Sequence, residues 1–147
     1  FSRADESFPG GIHHLYLMNA DGSGVSQITA DYGLSDTEPD WSPDGSRLSF
    51  TRDFNLYDDM GGTYYYAGTG VVVIQADGSG GSTIAGSYPW EQFYRSPAWS
   101  PDGTKIACTI MSGWLWSGPP RILVMNADGT GNWAPVVDRA GQPAWRP

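Results

Sequence analysis

An all-β fold made of repeated four-stranded antiparallel units, the blades of a β-propeller, is predicted by three observations in this 147-residue sequence. A turn motif recurs at Asn19-Ala20-Asp21-Gly22, Gln75-Ala76-Asp77-Gly78 and Asn126-Ala127-Asp128-Gly129. A second motif, Pro-x-Trp, alternates with it at Pro39-Asp40-Trp41, Pro97-Ala98-Trp99 and Pro143-Ala144-Trp145, and its first two copies run on into Ser-Pro-Asp-Gly. Between the motifs lie short runs rich in β-branched and aromatic residues, bounded by Gly, Pro and Asp, with no amphipathic helical period. Fixed alternation of two markers with tight Asp-Gly turns is the pattern of stacked blades.

Each unit is read as four strands in positions A to D. Position A is the Pro-x-Trp segment. Position B is Arg47 to Arg52 and Lys105 to Ile110, which alternate in part. Position C is Leu15 to Met18, Val71 to Ile74 and Ile122 to Met125; it is apolar at every residue, so it requires cover on both faces, as in a sheet stacked between two others. Position D is Val25 to Thr29, Ser82 to Ala85 and a weak Trp133 to Val137, interrupted by Pro135. Phe1-Ser2-Arg3 aligns with Phe50-Thr51-Arg52 at the end of position B. The chain is therefore parsed as a single partial propeller domain over 1–147. It opens with the end of a leading blade (1–36), continues through two blades (37–86 and 95–137), and closes on position A of a following one (142–147).

Composition agrees. Twenty Gly and eleven Pro call for many turns, while 39% hydrophobic residues, seven Trp and eight Tyr among them, supply a core. Sixteen acids against eight bases give a net charge of −8, which repels a phosphate backbone and argues against nucleic acid. The longest aliphatic run, Val71 to Ile74, is far short of a membrane span. Cys108 stands alone and forms no internal disulfide.

The repeats resemble the WD-repeat-like blades of TolB-type propellers, on the Pro-x-Trp-Ser-Pro-Asp-Gly strand and turn and the apolar strand ending in Asn-Ala-Asp-Gly. The resemblance covers nearly the whole chain. It implies a six- or seven-bladed ring, a location in the periplasm or at the cell surface, and a role as scaffold, cell-surface module or accessory domain of a hydrolase. About three blades cannot close a ring. Either further residues finish it, the preferred reading, or a second copy does, giving six blades with the split ones completed in trans.

Strand direction alternates, which places the A–B and C–D turns, with Asp21, Asp44, Asp77, Asp102 and Asp128, on one face. The other face receives the long connections, 53–70, 86–96 and 111–120. These carry Tyr57, Tyr64, Tyr65, Tyr66, Tyr88, Trp90, Phe93, Tyr94, Trp114 and Trp116, more rings than turn chemistry asks for. Clustered aromatics mark a recognition surface for a protein or glycan, although alternate members of Tyr64/Tyr66 and Trp114/Trp116 are expected to turn inward and pack. Trp41, Trp99 and Trp145 are expected to anchor position A against the neighbouring blade.

Other candidates read as structural. Asn-x-Asp-Gly resembles the start of a calcium loop but lacks the later bidentate acid, and a two-residue Asp-Gly hairpin explains it. Asp36, Glu38 and Asp40, like Asp58 and Asp59, are taken as solvated loop charges. His13 and His14 are adjacent and diverge. Cys108 aligns with Phe50 and is expected to be a buried, inert thiol. No nucleophile elbow, zinc-helix motif or phosphate loop occurs. The expectation is a non-enzymatic binding or scaffold module with no cofactor and no bound metal. The alternatives are an accessory propeller of a larger hydrolase or lyase, such as a serine peptidase or polysaccharide lyase, and a subunit of an extracellular assembly completed by other copies.

Overall fold

The computed structural model describes residues 1–5, 11–31, 33–58, 63–86, 92–112, 118–131 and 135–146, with 55–58 and 63–67 described by backbone alone. The described residues form strands and no helix. The first sheet is β1 (Ser2–Asp5), β2 (Ile12–Leu17) and β3 (Ser26–Gln27). Next come β4 (Leu34–Trp41), β5 (Arg47–Asp58), β6 (Thr63–Gln75) and β7 (Ser82–Gly86), and then β8 (Gln92–Trp99), β9 (Lys105–Ser112), β10 (Arg121–Asn126) and β11 (Pro135–Asp138). Each sheet is a meander whose strands pair with their neighbours in chain order, all antiparallel.

The sheets stack flank to flank, and strand alternation divides the core accordingly. Val71 and Val73 of β6 face the third sheet, in a cluster with Trp99, Ile106, Cys108 and Leu123. Val72 and Ile74 face the first sheet, with Leu15, Leu48 and Phe50. That two-sided burial is why position C shows no polar alternation. Full burial of a side chain such as Phe50, Leu123 or Ile106 contributes about 1.5–3 kcal/mol each.

Register confirms the alignment of repeats. Ser2 pairs with Leu15 as Thr51 pairs with Val71, and Cys108 pairs with Leu123 as Phe50 pairs with Val72. Two expectations change. The segment 53–70 is not an irregular loop: β5 and β6 continue as a paired hairpin to Asp58 and Thr63, past a bulge at Phe54/Asn55, because Tyr57 and Tyr64 to Tyr66 are strong strand formers. Position A starts earlier than Pro-x-Trp, at Leu34 and Gln92, so the third sheet begins before residue 95. In the weak position D of that sheet the described residues form β11, Pro135–Asp138, with a register shift where Pro135 meets Leu123, and Trp133 lies outside the described residues.

Position A contains a repeated bulge. Glu38, Ser96 and Gln142 precede the prolines of the three Pro-x-Trp motifs, and their φ values are 54°, 51° and 54°. The ladder slips at the first two, between Thr37/Asp40 and Arg95/Ala98. A non-glycine residue at such φ is uncommon, and its recurrence at one place in each unit shows that the repeat itself imposes it.

Candidate functional site

On the turn face every motif closes on its own aspartate. Asp21 Oδ1 accepts from the Ser23 amide at 2.9 Å and the Ser23 hydroxyl at 2.6 Å. Asp77 does the same with Ser79, and Asp128 with Thr130. Gly22 N–H donates to Asn19 O and Asn19 N–H to Ser23 O. The loop is thus three residues with the glycine left-handed (φ 84°), and not the two-residue hairpin expected, because Asp21 keeps ordinary φ while its side chain receives those bonds. These hydrogen bonds, the hydroxyl's first, lower the carboxyl pKa of all three aspartates.

Asp44 and Asp102 take the same role in the A–B turns. Asp44 accepts from Ser42 Oγ, Ser46 N and Ser46 Oγ, and these bring its pKa to about 2. Asp102 does so from Ser100 Oγ, Thr104 N and Thr104 Oγ1, also to about 2. The two kinds of turn touch: Ala76 N–H donates to Ser46 O, and Ala127 N–H to Thr104 O. They lie on one face, as strand direction requires.

Of the aromatic set expected on the opposite face, part falls on the described residues. Register sets Tyr57 opposite Tyr64 and Asn55 opposite Tyr66 at the end of the β5–β6 hairpin. Tyr88, Trp90, Trp114 and Trp116 lie outside the described residues, as does Asp59. Phe93 is half-buried on β8, opposite Met111. Tyr94 leaves the set: it is 5% exposed and packs in the cluster between the second and third sheets. Its hydroxyl donates to Gln92 Oε1 at 2.7 Å and its pKa is raised, by burial first and then by Cys108. Its place is that of Asp36 in the preceding unit, a position that points into the seam.

The acids of position A are the residues sequence reasoning misjudged. They sit on β4, where Asp36 is paired within its own sheet and Glu38 and Asp40 bond to the third sheet. Asp36 is fully buried and takes a bidentate pair from Arg52, Nε to Oδ1 at 2.7 Å and Nη2 to Oδ2 at 2.8 Å, with Asp31 Oδ2 also 2.8 Å from Nη2. Burial opposes the charge on Arg52, but Asp36 and Asp31 outweigh it and raise its pKa. Glu38 Oε2 accepts from Thr51 Oγ1 and from Ser96 N–H, each at 2.7 Å. Asp40 Oδ2 accepts the Trp99 N–H at 2.8 Å, and Arg95 pairs with Asp53 at 3.0 Å. The available signal was positional: these acids sit beside Pro-x-Trp, where the neighbouring unit's amides arrive.

The tryptophans also separate. Trp99 is 6% exposed, with the Arg47 guanidinium 4.6 Å from its ring centroid. Trp145 is 37% exposed and donates its indole N–H to Ala98 O at 2.9 Å. Trp41 is 45% exposed. Cys108 is buried, which pushes its thiol pKa up to about 12 and leaves no thiolate for chemistry near neutrality. His14 is buried and His13 partly so, with the His13 amide donating to Ser35 Oγ across the first seam. No cluster of three or more metal-ligating side chains occurs among the described residues.

Antiparallel meanders of three, four and four strands stacked on their flanks, with short self-closed turns on one side and longer connections on the other, define a partial β-propeller of about three blades. Among solved structures the fold is that of TolB-type propellers. A putative TolB from Agrobacterium tumefaciens superposes with a TM-score of 0.65 at 23% identity, over 91% of this chain and 46% of that one. TolB from Acinetobacter baumannii gives 0.59 at 18%, over 89% and 28%. A puromycin-hydrolyzing peptidase from Mycobacterium tuberculosis gives 0.57 at 19%, over 86% and 20%. The chain thus spans less than half the length of each of these proteins. No protein-family model and no curated protein matches it.

Proposed function

We propose that this chain is a non-enzymatic binding or scaffold module of a TolB-type propeller, acting outside the cytoplasm in the periplasm or at the cell surface, and that its loop face receives a protein or glycan. The observation that carries the reading is the β5–β6 hairpin. It prolongs the second sheet beyond the bulge at Phe54/Asn55 and brings Tyr57 and Tyr64 into register at its end, on the side away from the closed aspartate turns. A projecting aromatic hairpin offers contact area at low entropic cost. No helix of the described residues is long and apolar enough to cross a membrane.

The likeness to a peptidase favours one second reading, an accessory propeller of a larger hydrolase in which these blades shape access and the chemistry lies elsewhere. Retention on panels of immobilised polysaccharides and peptides tests the first reading. The wild-type chain should be retained, and Tyr57→Ala, Trp90→Ala and Trp116→Ala should each lose retention at unchanged melting temperature. Retention unaffected by all three would remove the loop face as the binding surface.

A further inference from the structure

The two seams differ at equivalent positions. Across the second seam Ile110, Leu123 and Met125 of the third sheet pack with Ile84 and Ala85 of the second in one buried apolar cluster. The repeat puts Arg52, Val72 and Ile74 in the places of the first three, and Ile28 and Thr29 in those of the last two. There the first seam holds a cavity of about 380 Å³, bordered by Thr29, Asp31, Arg52, Val72, Ile74 and Thr83. Valine in place of Leu123, and an isoleucine of shorter reach in place of Met125, open it. Every bordering residue falls between Ile28 and Thr83, and the second seam shows that the repeat assigns this space to side chains of the two facing sheets.

Its border combines an apolar wall with unused polar capacity. Val72 and Ile74 belong to the apolar core of this seam, with Ile28 packed against it. Thr29 is buried, and its Oγ1 accepts the Leu15 N–H at 2.9 Å, which leaves the hydroxyl proton to donate. Arg52 gives Nε to Asp36 and Nη2 to both Asp36 and Asp31; its Nη1 makes no hydrogen bond among the described residues. The Asp31 side chain is 57% exposed, with Oδ2 on Arg52 and Oδ1 left to accept. At the turn end the two sheets close, since a Cβ on Gly78 would stand 2.7 Å from the Ile28 carbonyl oxygen.

We propose that this cleft is a binding site for a neutral pyranose, either a free sugar or the terminal ring of a glycan. The C–H face of the ring lies on Val72 and Ile74, while its hydroxyls donate to Asp31 and accept from Thr29 and Arg52. The volume falls in the range of about 300–1,000 Å³ usual for small-molecule sites. Asp31 and Asp36 around one guanidinium leave an excess of negative charge that turns anions away, and Arg52, 2.8 Å from the Asp31 carboxylate, opposes an ammonium group. A polyhydroxylated ring uses the donors and acceptors together and brings no charge. No bordering residue belongs to the aromatic hairpin beyond Phe54, so this site stands apart from the proposed loop face.

The probes are the methyl glycosides of glucose, galactose, mannose and N-acetylglucosamine, titrated separately into the protein while methyl and amide resonances are followed by NMR. At least one should give saturable shifts at the Val72 and Ile74 methyls and the Thr29 and Thr83 amides at roughly millimolar glycoside. Asp31→Asn should weaken that binding about fivefold. The double variant Val72→Leu/Ile74→Met, which copies the third sheet, should abolish it by filling the cleft. Thr83→Leu should block it as well, and because Thr83 is exposed this variant keeps the wild-type circular dichroism even if the double variant does not. Tyr57→Ala should leave the affinity unchanged, which separates this site from the loop face. The proposal is overturned if none of the four glycosides binds, if the shifts map to the loop face, if affinity survives both Asp31→Asn and Thr83→Leu, or if methylammonium or phosphate shifts the same resonances and the glycosides do not.

Discussion

Glu38 and Ser96 hold the same place in neighbouring sheets, share the same left-handed backbone conformation, and are joined: the Ser96 N–H donates to Glu38 Oε2 at 2.7 Å. One carboxylate oxygen therefore satisfies the amide freed by the next unit's bulge and the Thr51 hydroxyl of its own sheet. At the following repeat, where serine replaces the glutamate, Thr109 Oγ1 accepts the Gln142 N–H directly at 2.9 Å. Bulge and acceptor are a coupled device that locks successive sheets together.

Removing that acceptor should be costly. Glu38→Ala is expected to lower unfolding free energy by about 1–3 kcal/mol, with Glu38→Gln losing less because its carbonyl still accepts. Urea denaturation of the three proteins decides it; equal stability would mean that the Ser96 amide finds water instead.

The three repeated tryptophans should not behave alike. Trp99→Ala removes a buried indole and is expected to cost about 3–5 kcal/mol, whereas Trp41→Ala should cost below about 2 kcal/mol. Thermal unfolding monitored by circular dichroism provides the comparison, and equal losses would contradict the difference in burial.

Gly78 and Gly22 are equivalent, with φ of 87° and 84°. A Cβ on Gly78 would stand 2.7 Å from the Ile28 carbonyl oxygen, while one on Gly22 meets nothing within 4 Å. Gly22→Ala should therefore cost only the backbone strain, about 1 kcal/mol. Gly78→Ala should cost more by forcing the first seam apart. Chemical denaturation of the pair isolates the seam contribution.

Asp44 and Asp102 titrate near pH 2 in the fold, against an ordinary 3.8. Because the folded values are lowered, the stabilisation is complete above the unfolded carboxylate pKa and is lost as pH falls from about 4 to about 2. Carboxyl carbon shifts followed by NMR should show these midpoints. Values near 3.8 would mean that the turns do not close on their aspartates in solution.

Much of this was legible in the sequence because periodicity is robust. Position C had to be covered twice, and Val71 to Ile74 are; Cys108 took the place of Phe50 and is buried as it is. The seams were not legible. Asp36, Glu38 and Asp40 look like surface charges when read singly, since their partners, Arg52, Ser96 and Trp99, arrive from another strand or sheet. Tyr94 looked like a loop aromatic because strand β8 begins earlier than its marker, and the β5–β6 hairpin looked irregular because its bulge hides the alternation.

The account rests on sheets packed flank to flank, which alone sorts turns and loops to opposite faces. A double-mutant cycle on Arg47→Ala and Trp99→Ala tests that most directly, as these residues meet only if the second and third sheets stack. A coupling energy of about 0.5–2 kcal/mol is predicted. Strict additivity of the two losses would contradict it.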